Sequence, residues 1–171
     1  MLACRIVSML MAFVSIVLLH MALTTDYWVV VYGVKDIMHS GLWQQCKNGN
    51  CTTPGTTKEY IAATRAFLIL ASLLALVSAL SLVFSFTSCA HGVMSKPFIP
   101  SMAAFTAALF TLIAVAVYTA ESWNNNTDPK VHYTYEWSFY LGWAAFPMLL
   151  LAGIFSLVAH VCSPRSGYER V

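Results

Sequence analysis

Residues 26–51, DYWVVVYGVKDIMHSGLWQQCKNGNC, determine which fold class this chain can adopt. The stretch combines Trp28 with the tripeptide Gly41-Leu42-Trp43 and with two cysteines, Cys46 and Cys51. It lies between the first two of four long apolar segments, none of which contains Asp, Glu, Lys or Arg. We therefore interpret it as the folded part, outside the bilayer, of a small membrane protein.

The composition supports a membrane protein. Hydrophobic residues make up 59% of the 171 residues and charged residues only 9%, whereas soluble domains carry about 25% charged residues. A bilayer span needs about 20 mostly apolar residues, and it must be helical because hydrocarbon offers no partner for backbone N–H and C=O groups. The net charge of +2, with no basic cluster, argues against nucleic acid as a partner. The predicted spans are residues 6–23, 67–86, 102–118 and 139–161.

These spans define one membrane domain, residues 1–171, with outer loops 24–63 and 119–137 and a cytosolic tail, 162–171. The first span has some features of a cleaved signal peptide, but no A-x-A site follows it, so a retained helix is favoured. Both termini are predicted to be cytosolic. The close pair Cys46 and Cys51 suits an oxidising compartment, whereas the Lys and Arg distribution favours this orientation only weakly.

Two N-x-[ST] motifs support the same orientation, because they lie in the two outer loops. They begin at Asn50 and at Asn125. Asn125 is the stronger candidate for glycosylation, since Cys51 lies inside the Asn50 motif and is expected to be bridged.

The first outer loop contains signals for a small sheet. Residues 27–32 are aromatic and β-branched and predict a strand, and residues 40–46 predict a second one. Asn48-Gly49 is a strong hairpin signal, and a Cys46–Cys51 bridge would close that hairpin; the alternative is two free thiols. Trp28 and Trp43 either anchor the loop at the membrane interface or pack together under the sheet.

Small residues recur at four-residue spacing in two of the spans. Such stripes permit close helix packing within the bundle, or alternatively form a homodimer face. They are Ala71, Ala75 and Ala79 in the second span and Ala103, Ala104, Ala107 and Ala108 in the third. Arg65, just before the second span, is expected to snorkel or to pair with a carboxylate such as Asp26.

Three cysteines lie at the predicted inner membrane surface. Juxtamembrane cysteines are palmitoylation candidates, with an unmodified thiol as the alternative. They are Cys4, Cys89 and Cys162.

The order Trp28, Gly41-Leu42-Trp43, Cys46 and Cys51, followed by Arg65, resembles the signature of the claudin, peripheral myelin protein and epithelial membrane protein superfamily. The resemblance covers nearly the whole chain. It implies an all-α membrane protein, a four-transmembrane-helix bundle with a small extracellular β-sheet. The first loop is shorter than that of a typical claudin, which argues against a paracellular pore or barrier.

Further segments resemble particular branches of that family. Residues 23–28, 116–123, 137–143 and 164–171 are similar to a member found in cytotoxic granules, whereas residues 63–67 and the close cysteine pair are similar to a member found in lens fibre membranes. The first resemblance implies a non-enzymatic protein of lysosome-related granules that regulates granule exocytosis and cell killing. The second implies a structural or cell-contact protein.

The C-terminus, Gly167-Tyr168-Glu169-Arg170-Val171, has the form G-Y-x-x-Φ. It resembles sorting signals that clathrin adaptors bind by β-strand addition, with Tyr168 and Val171 in two pockets. Two alternatives remain: a PDZ ligand that uses the terminal carboxylate, and a tail without a partner.

Other functional classes fit less well. A channel, transporter or auxiliary subunit usually has ionisable groups inside the membrane, but here only His20 and His160 lie in spans, near their ends. The five histidines form no H-x-x-x-H pair, and the Cys pair has no second pair to complete a zinc site. We therefore predict no enzyme, no cofactor and no metal. The expected partners are the lipid bilayer, other membrane proteins in cis or in trans, and a second copy of the chain.

Overall fold

The computed structural model describes residues 2–33, 36–86, 98–124 and 132–162. Four long helices form a bundle, and five short strands lie at one end of it. The elements in chain order are α1 (Leu2–Thr24), β1 (Val29–Tyr32), β2 (Ile37–Ser40), β3 (Gln45–Lys47), β4 (Asn50–Thr52), α2 (Glu59–Phe86), α3 (Ile99–Asn124), β5 (His132–Tyr135) and α4 (Trp137–Val161).

All four helices are long and apolar enough to cross a membrane. Their most extensive contacts are α2 with α3 and α1 with α4, and α3–α4 and α1–α2 contacts complete the bundle. Three of the helices extend clearly beyond the predicted spans. At the strand end, α2 begins at Glu59 and α3 continues to Asn124, because a hydropathy criterion defines only the part of a helix that fits the hydrocarbon, not where the helix ends.

The predicted small-residue stripes lie inside the bundle, which confirms their use in helix packing. Ala71, Ala75 and Ala79 on α2 are buried, as are Ala104 and Ala107 on α3. Serine hydroxyls add bonds between helices. On α1, Ser8 Oγ donates to the Ala152 carbonyl of α4 at 2.7 Å, and Ser78 Oγ of α2 donates to the Pro100 carbonyl of α3 at 2.8 Å.

The five strands form one antiparallel sheet in the order β4-β3-β2-β1-β5. The predicted Asn-Gly hairpin joins β3 to β4, with positive φ at Asn48 and at Gly49, as the tight turn requires. The fifth strand comes from the second loop, where no strand was predicted. It pairs with β1 in the register Val29–Tyr135, so only a contact between residues far apart in sequence reveals it.

The prediction of one strand over residues 40–46 is wrong. Strand β2 ends at Ser40, and β3 begins at Gln45. Between them the Gly41 N–H donates to the Gln44 carbonyl at 3.0 Å, which closes a turn. The β-branched and aromatic composition could not reveal this turn, because the reason for it is the close approach of Gly41 to another segment of the loop.

The contact between α3 and α4 leaves no room for a side chain at Gly153. A methyl group there would lie 2.8–3.0 Å from three ring atoms of Phe105. We expect Gly153→Ala to lower the free energy of unfolding by about 1–3 kcal/mol, because the ring must move out of a packed contact. Thermal unfolding of the purified protein in detergent measures this change.

Gly55→Ala is the matched control, because nothing lies within 4 Å of an added methyl group at Gly55. An unfolding midpoint for Gly153→Ala equal to that of this control would contradict the packing described for α3 and α4.

Candidate functional site

The candidate functional site is the five-stranded sheet together with the segments that join it to the bundle, residues 25–28 and 41–44, here called the cap. Trp28 lies at its centre and is completely buried. Its Nε1–H donates to the Ala22 carbonyl at 2.6 Å. The indole packs edge-on against Tyr118 of α3, at 4.6 Å between ring centroids, and against Phe139 of α4 at 6.0 Å.

Trp28 is therefore a core residue that joins α1, α3 and α4, and its predicted role as a membrane-interface anchor is wrong. The predicted packing against Trp43 is also absent from the ring contacts of the described residues. Periodicity could not reveal this burial, because the helices that cover the indole follow much later in the chain.

Gly41 allows the turn of the cap to lie directly against the end of α1. An added methyl group would lie 2.3 Å from Asp26 Cα and 2.9 Å from the Thr25 carbonyl oxygen. Both obstacles are backbone atoms, so no side-chain rearrangement would relieve the clash. Leu42, the next residue, is buried in the main core. Because Gly41 has no side chain, the turn can lie close enough to this segment for Leu42 to enter the core.

Arg65, near the start of α2, holds this turn from the other side. Both its Nε and its Nη2 donate to the Leu42 carbonyl, the first at 2.8 Å. The guanidinium carbon lies 4.6 Å from the centre of the Trp43 ring, which is a cation–π arrangement. Arg65 therefore binds a main-chain carbonyl and an aromatic face, whereas the sequence predicted snorkelling or a bond to Asp26.

Trp43 has two environments. Its Nε1–H donates to the Leu23 carbonyl in the last turn of α1 at 2.8 Å, while 40% of the residue remains exposed. Its position beside the end of two apolar helices is that of an interfacial tryptophan, with a polar group satisfied by the protein and a ring face open to its surroundings.

The predicted disulfide is present between Cys46 of β3 and Cys51 of β4, whose Cα atoms lie 3.9 Å apart. The neighbouring Lys47 Nζ lies 2.8 Å from Asp36 Oδ2, and Asn48 Nδ2 donates to Asp36 Oδ1 at 2.8 Å. These bonds from Lys47 and Asn48 hold the pKa of the Asp36 carboxyl below its ordinary value of 3.8. Because the pKa of Asp36 is lower in the folded protein than in the unfolded chain, the bonding stabilises the cap fully above pH 3.8. This stabilisation is lost as the pH falls through the lowered pKa.

The opposite part of the cap combines a histidine–carboxylate contact with aromatic rings. His39 Nδ1 of β2 lies 3.2 Å from Glu136 Oε1, immediately before α4. The Tyr27 ring contacts His39 edge-on at 5.3 Å and stacks on Trp137 at 5.6 Å. Tyr27 and Trp137 are each more than two-fifths exposed, so this side presents an aromatic surface at the end of the helices.

A group of tyrosines lies between the sheet and the helix ends. Tyr133 and Tyr135 of β5 contact each other edge-on at 5.5 Å, and Tyr60 of α2 contacts Tyr118 of α3 at 5.8 Å. Burial raises the pKa of Tyr133 to about 12, so its hydroxyl stays protonated at neutral pH. Sequence reasoning missed this group because its members come from three separate segments.

The remaining predicted site residues lie apart from the core of the cap. Asn50 is exposed on β4, and at the opposite end of the bundle Cys4 is half-buried and Cys162 is exposed. Among residues 2–33, 36–86, 98–124 and 132–162, no three His, Cys, Asp or Glu side chains are grouped so as to hold a metal ion. The following predicted site residues lie outside the described residues: Cys89, Asn125, Gly167, Tyr168 and Val171.

Four membrane-spanning helices with this cap define a multi-pass membrane protein. The sequence profile of the PMP-22/EMP/MP20/Claudin family matches residues 1–156, and the chain belongs to that family. It is 37% identical to Protein NKG7 of Homo sapiens over 166 residues, which are 97% of each chain. It is 39% identical to Protein NKG7 of Mus musculus over 148 residues, 86% of each chain, and 32% identical to the lens fiber membrane intrinsic protein of Homo sapiens over 153 residues, 87% of each chain.

The bonding of Arg65 predicts that a lysine cannot replace it. Arg65→Lys keeps the positive charge but loses the planar contact with Trp43 and one of two donors to the Leu42 carbonyl. We expect a loss of about 1–2 kcal/mol in the free energy of unfolding, measured by thermal unfolding in detergent.

Lys58→Ala is the control for this variant, because Lys58 is an exposed cation that lies 5.8 Å from the Tyr60 ring centre. Its effect should stay within about 0.5 kcal/mol. If Arg65→Lys is as stable as Lys58→Ala, charge alone suffices at position 65 and the assigned bonding is wrong.

Proposed function

We propose that this chain is a non-enzymatic protein of the membrane of lysosome-related, cytotoxic granules, where it regulates granule exocytosis and cell-mediated killing. The observation that carries the proposal is the similarity to Protein NKG7 over 97% of both chains. The segments that resemble a cytotoxic-granule member of the family, among them residues 116–123 and 137–143, support it.

In the proposed orientation the cap faces the granule lumen or the cell exterior, and both termini face the cytosol. The Cys46–Cys51 disulfide supports this orientation, because such bonds persist in oxidising compartments. The cap would then meet other membrane proteins, while the C-terminal tail would be available to cytosolic sorting proteins. Cys4, Cys89 and Cys162 are proposed as palmitoylation sites at the cytosolic surface, which thioester-specific labelling of their serine variants tests.

Glycosylation and epitope accessibility test the orientation together. We expect an endoglycosidase-sensitive mass that is lost in Asn125→Gln and retained in Asn50→Gln, because Cys51 in the Asn50 motif is bridged. Replacing both Cys46 and Cys51 by serine keeps the Asn50 motif and should increase its glycosylation. Gel mobility before and after endoglycosidase treatment measures each variant.

A C-terminal epitope tag provides the second readout of orientation. It should bind antibody only in permeabilised cells. Staining of the tag on intact cells would overturn the proposed orientation, whatever the state of the two motifs.

The tail supplies the test of the granule proposal. Full-length protein should lie in lytic granules of cytotoxic lymphocytes, and Tyr168→Ala should move it to the cell surface, because the adaptor pocket loses its aromatic side chain. Microscopy with granule markers and surface antibody labelling measure the distribution. Glu169→Ala is the matched control, since the two positions between Tyr168 and Val171 face no specificity pocket in this recognition mode.

One added residue after Val171 separates the two tail hypotheses. It should abolish PDZ binding, which requires the terminal carboxylate, and should leave adaptor-dependent sorting intact. Protein that never overlaps granule markers in these cells contradicts the granule proposal.

A structural cell-contact role is the second candidate, favoured by the similarity to the lens fiber membrane intrinsic protein. The cap exposes Tyr32 and Ile37 at nearly half of their surface, so it offers apolar groups for contacts between neighbouring cells. The same imaging experiment discriminates: if wild type and Tyr168→Ala both gather at cell contacts, this candidate replaces the granule proposal.

A further inference from the structure

A small cavity, with about 20 Å³ of space for the centres of water-sized groups, opens at the end of the bundle opposite the cap. All four helices border it, because this end contains the beginnings of α1 and α3 and the ends of α2 and α4. The lining combines polar groups with an apolar wall. It includes Arg5, Ser85, Ser156, His160, Leu82 and Pro100.

Arg5 gives this cavity a positive charge, and no counterion lies beside it among the residues that the structure describes. Arg5 is half-buried and has no ion pair or hydrogen bond among the residues that the structure describes. Every carboxylate of those residues lies at the cap end, far along the helices from Arg5. These carboxylates are Asp26, Asp36, Glu59, Glu121 and Glu136. A partly buried cation without a partner is costly, so the cavity is suited to an anion.

Ser156 gives a second, independent indication of a ligand. It is only 4% exposed, and its hydroxyl has no hydrogen bond among the described residues. Other buried serines of the bundle donate to carbonyl oxygens, for example Ser8 to Ala152, Ser15 to Ala12 and Ser81 to Val77. The Ser156 hydroxyl is therefore open to the cavity without a partner among the described residues and is available to a bound group.

We propose that this cavity binds the phosphate group of an anionic membrane lipid. The Arg5 guanidinium would donate to the phosphate oxygens, the geometry that this side chain provides best, and Ser156 would add a neutral donor. The wall formed by Leu82 and Ala159 suits the apolar part of the lipid next to its headgroup. Basic pockets between helix ends at the cytosolic surface are suited to such headgroups, and this inference does not depend on the granule proposal.

Lipid retention by the full-length chain tests the proposal. The protein is reconstituted in nanodiscs of phosphatidylcholine with phosphatidylserine, extracted gently, and its bound lipids are weighed by native mass spectrometry. We expect wild type to retain phosphatidylserine preferentially. Arg5→Gln should lower the ratio of phosphatidylserine to phosphatidylcholine about fivefold, the factor that corresponds to about 1 kcal/mol per basic residue.

Three further variants keep the test independent of folding. Arg5→Lys should retain most of the preference, and Lys58→Gln removes the same charge at the cap end and should leave the ratio unchanged. Ser156→Ala should lower the retention of both lipids by about two- to fourfold and leave their ratio unchanged, because both carry the phosphate to which Ser156 would donate. Each variant is first shown to unfold at the wild-type temperature in phosphatidylcholine alone.

An unchanged lipid ratio in Arg5→Gln together with unchanged lipid retention in Ser156→Ala would overturn the proposal, as would a wild-type protein without a preference for phosphatidylserine. Inorganic phosphate is the comparison ligand. If millimolar inorganic phosphate displaces phosphatidylserine completely while equal chloride does not, the cavity is a site for free phosphate rather than for a lipid, and the lipid assignment fails.

Discussion

The carbonyl groups that the last turn of α1 leaves unpaired are the constraint on which the cap depends. A helix end has no partner of its own for its final carbonyls, and close to a bilayer such groups are costly. Here the Met21 oxygen accepts from Thr25, the Ala22 oxygen from the Trp28 indole and the Leu23 oxygen from the Trp43 indole. The two indole bonds bring different segments of the first loop back onto α1, so capping of one helix also determines where the sheet begins.

A similar bond links the turn to α2: the Leu42 carbonyl, next to Trp43, accepts a hydrogen bond from Arg65. Side-chain donors on main-chain acceptors thus link α1, the loop and α2 in series. Trp43 and Arg65 belong to this series, whereas the Trp28 bond to the Ala22 carbonyl attaches the loop to α1 separately. Gly41 belongs to it because any side chain there would separate the turn from the end of α1. The disulfide lies beyond this series, between β3 and β4, where it holds the shape of the outer hairpin.

The sequence was sufficient for features that depend on local composition. Four apolar segments predicted four helices, Asn48-Gly49 predicted the hairpin, and the spacing of Ala71, Ala75 and Ala79 predicted the buried side of α2. The predictions that failed concern residues whose partners are distant in the chain. Strand β5 exists because β1 offers an edge, and Trp28 is buried because α3 and α4 cover it. The Leu42 carbonyl could not be predicted as the partner of Arg65, because every residue has a carbonyl group and only the fold selects one.

The two ends of the bundle also differ in how their polar groups are satisfied, and this difference bears on function. At the cap, the cations Lys47 and Arg65 have partners within the chain, Asp36 and the Leu42 carbonyl, although Asp26 Oδ1 is buried without one among the described residues. At the opposite end, Arg5 and the Ser156 hydroxyl have none among the described residues. The cap also exposes several aromatic and apolar side chains, among them Tyr27, Ile37 and Trp137, which suits contacts with other proteins. At the far end Arg5 has no counterion among the described residues, and in a membrane protein the anions closest to such a position are the lipid phosphates of the surrounding leaflet.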